Sequence, residues 1–194
     1  MYIPFGDKDR FVDRLKFAMT KKDVVQMVSF AYDFGIEPHE MISLSLHKDN
    51  SISFHAAWIL ENMLIGNQEA LDYYLPSIIN KLLLTNNTSV QRHLAKLTAI
   101  GINRIVKRKS SVLFQKEFWK INLEPLEEVC FKWFVDDDTK PAVKAHCMEI
   151  LYLLSTREKW IAEELPHIIE NQMEYGSPGI ITRGRAILKK LKGR

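Results

Sequence analysis

The chain has 194 residues, 46% hydrophobic and 26% charged, with a formal net charge of +3, which suits one ordinary domain with a continuous core. With 8 Gly and 7 Pro it is too poor in both to be collagen-like or of low complexity. Its longest stretch free of Asp, Glu, Lys and Arg, residues 50–60, falls far short of the roughly 18 residues a membrane span needs. The opening MYIPFGDKDR lacks a basic region followed by an apolar run, so no secretory signal is expected. Cys130 and Cys147, neither in a CxxC, fit a reduced, cytoplasmic chain.

In chain order, Phe11, Val12, Leu15 and Met19 mark one amphipathic face, and Val24, Val28 and Tyr32 mark the next. Residues 7–34 therefore predict an N-terminal capping pair of helices. No run of strict alternation bounded by hairpin dipeptides occurs, so strands are not expected. From residue 36 to 191 the chain repeats itself. Aligned on Ile52, Val90, Val143 and Ile180, it places Ile59, Leu97, Ile150 and Ile187 seven residues on, and Ala56, Leu94, Cys147 and Gly184 four residues on. These offsets share one helix face, and small residues midway let a neighbouring helix approach. Three residues before each anchor stand Asp49, Asn87, Lys140 and Ser177, three of them good N-caps, followed in two units by Pro141 and Pro178 at the first helical position.

A preceding helix repeats as well. Pro38, Pro76 and Pro166 each lie 14 residues before an anchor, and Pro125 lies 18 before Val143. Pro76 and Pro166 fall inside helical patterns, where kinks are expected. The anchors are 38, 53 and 37 residues apart. The long interval holds an inserted basic segment near 106–122, read as a short extra helix. This gives four repeat units over 36–191 in one domain spanning 1–194.

The alternation of a Leu-Pro helix, a polar turn and Val-x-x-x-small-x-x-aliphatic resembles the HEAT/armadillo-like helical repeats. LPSIINKLLLTNNTSVQRHLAKL (75–97) and PAVKAHCMEILYLL (141–154) carry it best. The resemblance implies an all-α chain: a right-handed α–α superhelix of about five HEAT-like hairpins with one concave face, each hairpin burying its apolar side on its neighbours. The Arg usual after the anchor is here Ser53, Gln91, Lys144 and Ile181. The ladder it normally forms between repeats is therefore not expected in its usual form.

Motifs for nucleotide cradles, nucleophile elbows and HExxH metal sites are missing, so no catalytic residue, metal or cofactor is expected. One column stands out. Three residues after the anchors stand His55, His93, His146 and Arg183. Equivalent atoms in stacked helices recur at roughly 10 Å, too wide for a metal whose ligands lie at about 2 Å. Two readings of the column stand: a ladder of donors along a groove, or imidazoles that hydrogen-bond across repeat boundaries and fix the stacking. Arg92, Lys96, Lys144 and Arg185 would flank it. Trp58, in an apolar helix, reads as core. Trp119, after Phe118 in the insertion, reads as a pin holding that segment.

The function expected from the sequence is thus a non-enzymatic scaffold for a protein or acidic peptide partner, bound on the concave face. The alternative is nucleic-acid binding. Basic residues cluster at Arg104, Lys107, Arg108, Lys109, Lys116 and Lys120 and again over 183–194. HEAT-like alkylpurine DNA glycosylases place a Trp near an essential Asp in a cationic groove, and Trp133 with Asp137 is the similar spot here.

Overall fold

The computed structural model describes residues 5–193. Among these, helix is the only regular structure. The eleven helices are α1 (Phe5–Arg14), α2 (Lys21–Asp33), α3 (Pro38–Leu44), α4 (Asn50–Gly66), α5 (Gln68–Leu84), α6 (Thr88–Val106), α7 (Val112–Phe118), α8 (Glu124–Val135), α9 (Pro141–Leu154), α10 (Lys159–Glu174) and α11 (Pro178–Lys192). No helix among the described residues is long and apolar enough to cross a membrane.

Local chemistry sets the helix starts. Thr20 and Asp23 form a reciprocal capping box ahead of α2. The Asp49 carboxylate accepts from the Ser51 and Ile52 amides, Asn67 Oδ1 from Ala70 and Asn87 Oδ1 from Ser89. Lys140 and Ser177 occupy N-cap positions without a side-chain cap, and a proline opens the helix after each. Gly35 ends the turn after α2 at φ 64°, a left-handed conformation that glycine adopts without strain. Pro76 and Pro166 lie inside the unbroken helices α5 and α10.

The chain divides into two compact units, Met1–Leu97 and Thr98–Arg194, with the division inside α6. In the first unit α2 and α3 pack on α4, and α5 packs on α3 and α4. Ile52, Ala56, Ile59, Val90, Leu94 and Leu97 are all buried there. In the second unit α8 packs on α9, α10 on α11, and α9 on both α10 and α11. Val143, Cys147, Ile150, Ile180, Gly184 and Ile187 are buried there. The repeat positions at offsets zero, four and seven therefore form the core of both units.

The segment between α6 and α8 contains α7. Phe118 is 1% exposed and Trp119 stands edge-on to it at 5.3 Å, so the pair pins the segment while Val112 and Leu113 face solvent. Trp58 departs from expectation. It is half-buried rather than core. α4 is apolar nearly all round, so hydropathy alone does not tell which of its faces is covered.

Candidate functional site

The second helix of each hairpin carries the anchor, so its faces can be sorted by offset. In the first unit the two such helices are α4 and the start of α6. His55 is buried, and its Nδ1 lies 2.7 Å from the Leu15 carbonyl, to which it donates. It ties α4 to the turn after α1. His93 is 1% exposed, and its Nδ1 donates to Glu61 Oε2 at 2.7 Å. The other carboxylate oxygen of Glu61 accepts from Lys96 Nζ at 2.7 Å. His93 Nε2 is buried without a hydrogen-bond partner. One carboxylate on α4 thus gathers His93 and Lys96 from α6.

Burial pushes the Glu61 carboxyl up. The hydrogen bonds from His93 and Lys96, together with their charges, outweigh it and hold the group below the usual carboxylate range. Asn87 adds a second tie, donating to Ser53 Oγ at 3.0 Å while capping α6. Ser53 stands where the HEAT-like Arg is usual, so an Asn–Ser contact here joins successive repeats at that position.

The surface between these ties is aromatic. Phe54 and Trp58, four residues apart on α4, are both half-buried with ring centroids 5.7 Å apart. The His93 ring lies 5.6 Å from Phe54 and stacks on Trp58 at 6.3 Å. Arg92 is exposed and Lys96 half-buried, again four residues apart on one face of α6. A pocket beside Phe54 is lined by Met19, Asn50, His55 and Asn87.

In the second unit Arg183 on α11 forms an ion pair with Glu149 on α9. Lys144 is buried, and its Nζ donates to Gln172 Oε1 on α10 at 3.0 Å. His146 is half-buried on α9, and Arg185 is exposed on α11. Trp133 is buried near the end of α8, whereas Asp137 is exposed in the turn beyond it. That turn is shaped by Asp136, which accepts from Thr139 Oγ1 at 2.8 Å and from the Asp138 amide at 3.2 Å. Cys130 and Cys147 are both buried. Burial first, and then a hydrogen bond with Cys147, push the Cys130 thiol well up.

At offset three, His55, His93 and Arg183 therefore bond inward or to the preceding repeat. His93 reaches Glu61 and Arg183 reaches Glu149 in the same sense, 32 and 34 residues back along the chain. Phe54, Trp58 and Glu61 were not among the candidates read from sequence. The signal that finds the two aromatics is the same repeat register at offsets two and six: Phe54 and Trp58 in one helix, Arg92 and Lys96 in the next; Glu61, at offset nine, has no such signal.

No curated protein and no solved structure matches the chain. A family model described as the HEAT repeat domain matches residues 11–191, a span that takes in the helices from within α1 to α11 and the register on which the paired helices bond. The chain belongs to the HEAT repeat family.

Proposed function

We propose that the chain is a non-enzymatic scaffold that binds another protein through the solvent-facing strip of its anchor helices. The observation that carries this reading is the pairing of Phe54 and Trp58 with Arg92 and Lys96 in the first unit. Aromatic and Arg side chains are the types that dominate binding hot spots. This pair is held in place before any partner arrives, because the His93 ring stacks on Trp58 and is itself fixed to Glu61. Such rigidity lowers the entropy lost on binding. The strip suits an acidic segment with an apolar residue: aromatic area from α4, positive charge from α6. His55 and His93 serve it as positioning residues beneath the surface. His146, Arg183, Lys144 and Arg185 are the corresponding candidates on the second unit.

The test is capture of a partner by the full chain. Trp58→Ala combined with Arg92→Glu is expected to weaken capture by about tenfold or more, while Tyr73→Ala, exposed on α5, is expected to leave it intact. Exposed Lys107, Arg108 and Lys109 beyond α6 keep the nucleic-acid reading in view. Duplex DNA bound tightly by the full chain, with an affinity that falls steeply as salt rises, and no effect of the double substitution on protein capture, would overturn the scaffold assignment.

A further inference from the structure

The second unit holds a cavity of about 410 Å³ that shares no residue with the strip of Phe54, Trp58, Arg92 and Lys96. It is lined by residues from the end of α7, the segment leading into α8, and the turn between α9 and α10. Trp119 and Trp160 supply aromatic wall; Glu124, Glu127 and Glu158 supply carboxylates. Trp160 is 46% exposed and is backed by Phe131, with ring centroids 5.2 Å apart.

Glu127 is the unusual member. It is 7% exposed, yet among the described residues none donates a hydrogen bond to its carboxylate and none pairs with it. Burial first, and then the negative charges of Glu158 and Glu124, push its carboxyl up. Its carboxylate oxygens are not sealed off but reach the cavity, where a partly desolvated carboxylate is stabilised by a cation. Here the space beside it is open cavity. The aromatic wall already accepts a cation, since the Arg157 guanidinium lies 4.7 Å from the Trp119 ring centroid.

We propose that this cavity binds the alkylammonium side chain of a lysine presented by a partner protein, with the ammonium on Glu127 and the methylene stem against Trp119 and Trp160. Lysine fits better than arginine. A compact ammonium on a flexible four-carbon stem reaches a recessed carboxylate between two indoles, whereas a second planar guanidinium would compete with Arg157 for the face of Trp119. Glu124 and Glu158, both exposed at the mouth, draw the cation in. The site is independent of the Phe54–Trp58 strip, so either can fail without the other.

The probe is N-acetyl-lysine N′-methylamide, titrated into the full chain while the four tryptophan indole N–H signals are followed by NMR. The expected result is movement of the Trp119 and Trp160 signals with Trp58 and Trp133 unmoved, and no such movement with the norleucine analogue. Glu127→Gln is expected to weaken the lysine probe by about tenfold, the effect of losing a hydrogen bond to a charged group. Arg157→Ala, which removes a competing cation from an exposed position, is expected to strengthen it. If Glu127→Gln does not fold, Glu158→Gln at the rim substitutes for it, with an expected loss of about twofold to threefold from the rim charge. The proposal is overturned if the norleucine analogue moves the same two signals equally, if the arginine analogue binds more tightly than the lysine probe, if no signal moves up to the solubility of the probe, or if the Glu variant binds as the parent does.

Discussion

Glu61 is the joint between α4 and α6, and its removal has a calculable consequence. In Glu61→Ala the Lys96 amine, whose side chain is 36% exposed, can turn to water. That half of the loss is small, up to about 1 kcal/mol. His93 cannot turn away. It is 1% exposed, its Nε2 already lacks a partner, and its Nδ1 would lose the only acceptor it has at 2.7 Å. A buried donor left unsatisfied costs about 1–3 kcal/mol, so the expected destabilisation is about 2–3 kcal/mol. Glu61→Gln keeps an oxygen that can accept from His93 but turns its NH2 toward the Lys96 amine, which moves to water, so with the charge assistance also lost about 1 kcal/mol is expected. Denaturant midpoints at constant slope measure both. The pH dependence follows from the lowered Glu61 carboxyl. A carboxylate held below its unfolded value stabilises the fold above that value, about 4.3, and loses this contribution as pH falls through its lower folded value. Glu61→Gln should therefore flatten part of the acid limb of the stability profile. Equal midpoints for the Ala variant and the parent, or equal losses for Gln and Ala, would refute the reasoning.

Other outcomes follow from contacts elsewhere. At Gly184 an added Cβ would stand 2.5 Å from Met173 Sδ and 3.0 Å from Ile169 Cγ2; Gly184→Leu should cost about 1–3 kcal/mol by overpacking, a fall of about 2–4 °C in Tm per kcal/mol, and Met173→Ala in the same chain should recover part of it. Asn87→Ala removes both the α6 cap and the contact to Ser53 and should cost about 1–2 kcal/mol, read as a shift in the urea midpoint. Cys130, buried with its thiol held protonated by desolvation and by Cys147, should resist iodoacetamide at mildly alkaline pH in the folded chain and react fully once urea unfolds it; rapid labelling of the native protein would contradict the packing of α8 on α9. Asp137→Asn, in an exposed turn, should leave stability within about 0.5 kcal/mol of the parent by thermal unfolding.

Much of the fold was legible because the core repeats. Ile52, Val90, Val143 and Ile180 are buried, as are their partners four and seven residues on. That pattern needs no knowledge of what lies across from it, only the helical period. The insertion was legible for the same reason: a basic stretch breaks the spacing, and Phe118 returns it to the body. Trp58 was not. In a helix as apolar as ISFHAAWIL, the side that faces water is decided by which neighbours stack on it, and those neighbours lie far along the chain. Glu61 escaped for a related reason. Its role exists only because His93 arrives from 32 residues away; read alone, it is an acid on an apolar helix.

The helical wheel explains why the conspicuous column and the exposed strip differ. At about 100° per residue, offsets zero, four, seven and eight span an arc centred near 30°. Offset three falls about 90° from that centre, on the flank. A flank in a stacked repeat meets the neighbouring anchor helix, so a polar group there must find a partner on it or be left unpaired. That is where His93 meets Glu61 and Arg183 meets Glu149. Offsets two and six fall about 170° and 210° from the core centre, facing away from it, and there stand Phe54 with Trp58 and Arg92 with Lys96. A polar side chain at offset three therefore suits repeat stacking at His93 and Arg183, and the positions one residue before it and three after it are the ones open to a partner. Exchanging the pairs, Phe54→Arg and Trp58→Lys with Arg92→Phe and Lys96→Trp, keeps the composition of the strip but moves the aromatic area to the other helix. It should abolish partner binding while unfolding remains cooperative by circular dichroism; retained binding would mean that the recognition surface lies elsewhere.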